Sequence, residues 1–138
     1  MPADTVAVAK DMLNHLNSWP DKPCKFSIEE LPNKAPALML QPLAGSGVER
    51  RYIDGSFIGQ FSFSVYYRTE QTDTHEKLSA YDILESLAYW LEHSSLPTLS
   101  GNRSAIKIEQ SATTALALID DDTEDYQTIF SLRYKQSA

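Results

Sequence analysis

A run of carboxylates is the densest group of potential ligands in this sequence. Its acidic members are Asp120, Asp121, Asp122, Glu124 and Asp125. A hard cation such as Ca²⁺ is bound by several carboxylate oxygens that converge at short range. The run lacks the spacing of an EF-hand loop and its central glycine, so it favours a solvated acidic turn between two strands. Two alternatives stay open: an acidic surface that lines a pore or an interface, and a divalent-metal-dependent enzyme built on Asp120, Asp121, Asp122 and Asp125.

The other residue types that support catalysis or cofactor binding are isolated along the chain. If one helix carries both His75 and His93, they lie about 27 Å apart, too far for one metal ion to bridge. Gly45 and Gly47 are not followed by the Lys-Ser/Thr of a phosphate-binding loop. Cys24 is the only cysteine, which excludes an internal disulfide, and we interpret it as a small buried hydrophobe. We interpret all three histidines as solvated helix-surface residues: His15, His75 and His93. We therefore predict no catalytic, metal-binding or cofactor-binding site.

Two amphipathic helices are predicted, at residues 4–18 and 74–93. In each, apolar residues recur with helical spacing on one face. Pro20 ends the first helix, and Asp73 and Glu76 have the spacing of a capping box at the start of the second. The apolar stripes comprise Val6, Ala9, Met12, Leu13, Leu16 and Trp19 in the first helix, and Ala80, Tyr81, Ile83, Leu84, Leu87, Ala88 and Leu91 in the second.

Short runs of β-forming residues, separated by proline, glycine and acidic turns, predict the strands. They are residues 25–28, 37–41, 48–53, 56–68, 105–110, 115–119 and 126–135. Strands interrupted by two amphipathic helices are typical of an α+β fold. We predict one domain over residues 1–138, with a mainly antiparallel mixed sheet and both helices packed on one face.

The strongest local signal is a β-hairpin centred on Asp54 and Gly55. Asp-Gly between two strands favours a two-residue turn, which would place Tyr52 opposite Phe57 and Val48 opposite Phe61. The second strand is longer than the usual 5–6 residues, so we expect part of the hairpin to project from the domain. The predicted partner-binding surface on this hairpin comprises Arg50, Arg51, Asp54, Gly55, Ser56, Ile58, Gln60 and Arg68.

Composition limits the possible functions. The chain has 138 residues and a formal charge of −7, whereas nucleic-acid affinity depends mainly on lysine and arginine. We therefore expect no sequence-specific nucleic-acid binding, although an acidic lining suits a passage through which DNA slides. No segment approaches the roughly 20 apolar residues of a membrane span, and no secretory signal is visible. A cytoplasm-like compartment is expected.

Three segments together resemble the minor capsid proteins of phages and prophages of Gram-positive bacteria. They are the hairpin at residues 52–68 (YIDGSFIGQFSFSVYYR), the helix that carries Trp90-Leu91-Glu92, and the acidic turn that leads into residues 126–132 (YQTIFSL). Proteins of this family are similar to tail terminators, and only the hairpin segment is distinctive.

The resemblance implies a structural virion protein at the head–tail junction, assembled in the host cytoplasm. Such a protein forms a homo-oligomeric ring, commonly a hexamer, that caps the tail tube. The ring joins the tube protein to a head-completion or connector protein, and DNA passes through its centre. From the residues themselves we expect no enzyme activity and no membrane association. An alternative from another class is a small adaptor or assembly chaperone that acts as a dimer.

Overall fold

The computed structural model describes residues 3–29, 35–44, 47–70, 74–119 and 122–138. In these residues, two helices and six strands follow one another. They are α1 (Ala3–Asn17), β1 (Phe26–Ile28), β2 (Ala37–Pro42), β3 (Gly47–Arg51), β4 (Phe57–Glu70), α2 (Thr74–His93), β5 (Arg103–Ile119) and β6 (Thr123–Gln136).

All six strands form one sheet, in the order β1-β2-β4-β6-β5. Strand β3 pairs with the first residues of β4, and β2 pairs with its later residues. Among the described strands, only the β1–β2 pair is parallel, and the other pairs are antiparallel. The predicted α+β fold with a mainly antiparallel mixed sheet is therefore confirmed.

Strand β4 supplies the centre of the hydrophobic core through alternate residues. Phe61, Phe63, Val65 and Tyr67 are buried on one face, as the sequence alternation predicts. Their partners across β6 are Leu132, Phe130, Thr128 and Tyr126. The same core cluster contains residues of both helices, so this sheet face and the helix stripes belong to one core.

The buried stripe of α1 differs from the predicted stripe in one residue, because Val8 is buried in place of Val6. Val8 is fully buried, with Ala9, Met12 and Leu16, whereas Val6 is 47% exposed. Among the described side chains of α2, the buried ones are Ala80, Leu84, Leu87, Ala88 and Leu91. The end of α1 is tied to the sheet, because the Phe26 backbone NH donates to the side chain of Asn17 at 2.8 Å.

Residues 103–119 form one strand, where the sequence predicts two separate strands at 105–110 and 115–119. The pairing with β6 shifts register after Ala105, Gln110, Ala112 and Leu116. Such bulges leave one residue unpaired and bend the strand without ending it. The Ser-Ala-Thr-Thr segment at 111–114 is therefore an irregular part of β5.

The expected projection of the hairpin from the domain is not confirmed, because β4 lies inside the sheet. Strand β6 pairs with β4 along its whole length, from Phe57 opposite Gln136 to Glu70 opposite Thr123. On its other side, β4 pairs with β3 and β2. Within the hairpin, only β3 and the turn that follows it lie at the margin of the sheet.

Candidate functional site

The turn of the β3–β4 hairpin contains three residues, so the prediction of a two-residue turn is wrong. The Gly55 NH donates to the Tyr52 carbonyl at 3.1 Å, and the Tyr52 NH donates to the Ser56 carbonyl at 2.9 Å. Gly55 has a φ of 94°, which glycine adopts without strain. This is the arrangement of a type I turn followed by a glycine bulge.

The longer turn changes the pairing of the whole hairpin. Arg51 lies opposite Phe57, and Val48 lies opposite Gly59 instead of Phe61. A register shift at Glu49 adds to the difference. The predicted pairs were wrong because they were counted from a loop of Asp54 and Gly55 alone, whereas Ile53 also belongs to the loop.

Asp54 stabilises the turn through its carboxylate. One carboxylate oxygen accepts hydrogen bonds from the Ser56 hydroxyl at 2.6 Å and from the Ser56 NH at 2.9 Å. These bonds favour the ionised form and lower the pKa of Asp54, the hydroxyl contributing most. Asp54 therefore has a structural role in this hairpin.

The predicted partner-binding residues of the hairpin divide into exposed and buried groups. Arg50, Arg51, Asp54 and Gly55 are exposed, whereas Ser56 and Ile58 are buried and Gln60 is half-buried. The buried side chains are not available to a partner in this structure. The prediction that they belong to a contact surface is corrected for Ser56 and Ile58.

Arg68, the last residue predicted on that surface, instead forms an internal ion pair. Its Nε and Nη2 atoms donate to the two carboxylate oxygens of Asp125 at 2.8 and 2.9 Å. The two side chains are only 15% and 7% exposed. A bidentate pair of this kind is directional and strong, so Arg68 and Asp125 join β4 to β6.

The residues of the predicted acidic turn lie partly in a strand and partly before it. Residues 123–125 belong to β6, so Glu124 and Asp125 lie in a strand and are buried. The Tyr126 hydroxyl donates to Glu124 Oε2 at 2.7 Å. Asp122 is exposed, and Asp120 and Asp121 lie outside the described residues. Glu124 and Asp125 therefore do not contribute to an open acidic lining in this structure.

Exposed apolar residues at the tip of the hairpin were missed by the sequence prediction. Ile53 is fully exposed, and Val48 and Tyr52 are each more than two-fifths exposed. The sequence did contain a signal for this exposure: Ile53 directly precedes Asp54-Gly55. A residue in a hairpin turn lies outside the sheet and has no core residues beside it. Exposed charges of both signs lie beside them, on Arg50, Arg51 and Asp54.

A second exposed apolar surface lies at the other end of the sheet, on β5. Leu116, Leu118 and Ile119 are 40%, 54% and 54% exposed. Strand β5 is the last strand in the sheet and pairs only with β6 among the described strands. Unpaired edge strands that expose apolar residues tend to pair with other chains. This surface is the best candidate for a contact with another molecule.

The middle of β5 is covered by α2, in contrast to its end. Glu92 accepts a hydrogen bond from the Gln110 NH at 2.9 Å, and Glu85 accepts one from the Thr114 NH at 3.3 Å. These carboxylates satisfy backbone donors where the ladder with β6 is irregular. Protection of an edge by a neighbouring helix is a common means of preventing unwanted strand pairing.

The sheet face opposite the core carries a polar groove of about 340 Å³. Arg133 donates to Glu49 at 2.8 Å across the groove, and Lys107 lies 3.5 Å from Glu109. Gln60 also lines it. Because each of these charges already has a partner, the groove offers no unbalanced charge to a ligand.

An aromatic groove of about 400 Å³ lies where the ends of α1 and α2 meet, lined by Trp19, Tyr89, Trp90 and His93 among others. The His15 ring stacks on Trp90 with centroids 4.9 Å apart. His15 is half-buried, so the expectation of a solvated histidine is wrong for this residue, and this burial lowers its pKa. The stacking accounts for His15 as part of the contact between the two helices.

The described residues contain no group of three His, Cys, Asp or Glu side chains placed to hold a metal ion. Cys24 is half-buried, and burial raises the pKa of its thiol, which disfavours the reactive thiolate. Neither described helix is sufficiently long and apolar to cross a membrane.

Comparison with known proteins adds no functional assignment. No family model matches the chain, and no curated protein matches it significantly.

Proposed function

We propose that this chain is a structural protein that functions by self-association, as a ring-forming tail-terminator or minor capsid protein at a phage head–tail junction. The main observation that supports self-association is the exposed apolar end of β5. The hairpin and acidic-turn sequences support the phage assignment through their resemblance to that family. The two lines of support are independent of each other.

Burial of Leu116, Leu118 and Ile119 provides the driving force for assembly. Removing apolar surface from water contributes about 25 cal/mol per Å². An edge strand also adds main-chain hydrogen bonds when it pairs with another strand. A protein with this surface is expected to associate at rising concentration, while α2 keeps the middle of the same strand covered.

The net charge of −7 is compatible with a ring through which DNA passes. An acidic surface repels phosphate, so a duplex would slide past it without adhering. Partners in this proposal are other copies of the chain, the tail tube protein and the head-completion or connector protein.

Native mass spectrometry over a concentration series, with and without purified tail tubes, tests the proposal. We expect a closed oligomer near six copies, or a monomer that caps the tubes. A stable dimer that does not bind tubes would contradict the ring and support the adaptor alternative. A chain that remains monomeric at all concentrations and leaves tube length unchanged would contradict self-association itself.

Replacement of the exposed apolar residues tests the surface directly. Leu118→Lys with Ile119→Lys is expected to abolish assembly and to leave the melting temperature nearly unchanged, because both side chains are more than half exposed. The matched control is Tyr89→Lys, since Tyr89 is 66% exposed but lies on α2. Equal loss of assembly in both variants would show that added charge, and not the β5 surface, is responsible.

A further inference from the structure

The aromatic groove between the ends of α1 and α2 combines ring surfaces with hydrogen-bonding groups. Beside its four aromatic residues lie Asp21, Ser86 and Ser94. With histidine neutral, this lining therefore carries a single charge, the negative charge of Asp21. A groove of this composition differs from the polar groove on the opposite sheet face, where charges of both signs are paired.

The carboxylate of Asp21 is available to a ligand. Asp21 is exposed, and among the described residues it forms no salt bridge. Lys22 follows it in the chain but does not line the groove. The charged residues of α2 from position 82 onward are all acidic: Asp82, Glu85 and Glu92. The charge around the groove is therefore mainly negative and favours a cation.

The rings of the groove are held in place without a ligand. Tyr89 and His93 stack with centroids 4.0 Å apart, and His93 Nδ1 donates to the Tyr89 carbonyl at 2.9 Å. Tyr89 nevertheless remains 66% exposed, so part of its ring is open to solvent. A cation over the face of a tyrosine or tryptophan ring is attracted by the negative charge of that face. The rings and Asp21 thus favour the same class of ligand.

The groove also contains a polar group that lacks a partner. Ser94 lines the groove, and its hydroxyl is buried with no hydrogen-bond partner among the described residues. Most buried polar groups in proteins are hydrogen-bonded. A ligand that carries several donors would supply the missing bond to the Ser94 oxygen while it pairs with Asp21.

We propose that this groove binds the guanidinium group of an arginine on a partner protein. A guanidinium is planar, stacks on aromatic rings and carries five N–H donors, whereas the ammonium of lysine has no plane to stack. Asp21, Ser86, Tyr89 and His93 are exposed, so a side chain on the surface of another protein can reach the groove. The contact is separate from self-association through β5, because no residue of β5 lines the groove.

Titration of the full chain with Nα-acetyl-arginine methylamide, followed by heteronuclear NMR, tests the proposal. Trp19 and Trp90 are the only tryptophans of the chain, and both line the groove, so both indole NH signals report on it. We expect saturable shifts of these signals. The matched ligand is the citrulline derivative, which keeps the planar shape and loses the charge. It is expected to bind about ten-fold more weakly, because the cation–π and ion-pair contributions are lost.

Replacement of single groove residues identifies what recognises the cation. Asp21→Asn and Tyr89→Leu are each expected to weaken arginine binding about three-fold, whereas Tyr89→Phe keeps the ring and should bind nearly as the unmodified chain does. The matched control is Asp82→Asn, since Asp82 is exposed on α2 but does not line the groove. Circular dichroism melts establish that each variant is folded.

Four results would overturn the inference. They are the absence of saturable shifts at tens of millimolar ligand, equal binding of the citrulline derivative, equal binding of Nα-acetyl-lysine methylamide, and equal weakening by Asp82→Asn and Asp21→Asn. The second would show stacking without recognition of charge, and the third would reject a planar cation. The last would show general attraction by an acidic protein. None of them bears on assembly through β5, which native mass spectrometry measures separately.

Discussion

Tyr134 lies with its ring against the backbone of Gly59, its partner across strands β4 and β6. A Cβ atom at position 59 would lie 2.4 Å from Cζ of this ring. Tyr134 is buried and also meets Phe57 edge to face, with centroids 6.4 Å apart. The glycine therefore leaves space for an aromatic ring on the core side of the strand.

Gly59→Ala is expected to destabilise the protein because the added methyl group displaces a buried ring. Overpacking of a core usually costs about 1–3 kcal/mol. Urea unfolding of the variant measures the change in free energy. The same substitution in a Tyr134→Ala background serves as the control, where the space is already open. An equal cost in both backgrounds would show that the ring does not cause the effect.

Arg68→Leu is expected to lower the free energy of unfolding by about 3 kcal/mol, because Asp125 would remain buried without its partner. The matched control is Arg133→Leu. That arginine and Glu49 are 41% and 42% exposed, and exposed pairs contribute less than about 1 kcal/mol. Urea unfolding compares the two variants. Adding Asp125→Leu to Arg68→Leu should recover part of the loss, and similar costs for both arginines would contradict this account.

Tyr126 should make stability depend on pH in the alkaline range. Desolvation by burial, followed by its hydrogen bond to Glu124, raises the pKa of Tyr126. Above about pH 10 the unfolded tyrosine loses its proton while the folded one retains it, so the unfolded state binds fewer protons and stability falls as pH rises. We expect Tyr126→Phe to show a smaller decrease than the unmodified chain between pH 9 and 11 in urea unfolding. Parallel curves for the two proteins would contradict the assignment.

Glu92→Ala is expected to expose part of the β5 edge. The Gln110 NH would lose its acceptor, and loss of such a bond costs about 0.5–1.5 kcal/mol. Hydrogen exchange at the Gln110 amide should accelerate more than exchange elsewhere in β5. Glu92→Gln keeps a side-chain oxygen and should exchange at nearly the original rate. Unchanged exchange in the alanine variant would show that Glu92 does not cover the strand.

The elements that depended on periodicity could be predicted from the sequence. The second helix has the predicted bounds, Thr74–His93, and the alternation from Phe61 to Tyr67 identified the core face of β4. Both patterns reflect how often a side chain returns to the same face, which is a local property. The turn at Asp54 and Gly55 was placed correctly but given the wrong length, since Asp-Gly suits both a two-residue turn and a three-residue turn with a glycine bulge.

The candidate surfaces could be predicted only in part. Arg50 and Arg51 were expected on an exposed strand and are exposed, whereas Arg68 was expected there and lies inside the fold with Asp125. The sequence does not reveal that β6 runs beside β4 over 14 residue pairs and brings a carboxylate to that arginine. Ile53, Leu118 and Ile119 were not predicted as surface residues, because apolar types are expected to be buried.

By itself, the sequence determined the helices, the alternating strand and the α+β class, because each depends on spacing between neighbours along the chain. The tertiary structure decided which strands lie beside one another. It thereby decided that Glu124 and Asp125 are buried and that Leu118 and Ile119 are exposed. Burial depends on which distant segments cover a side chain, and a residue's type and spacing carry no record of those neighbours.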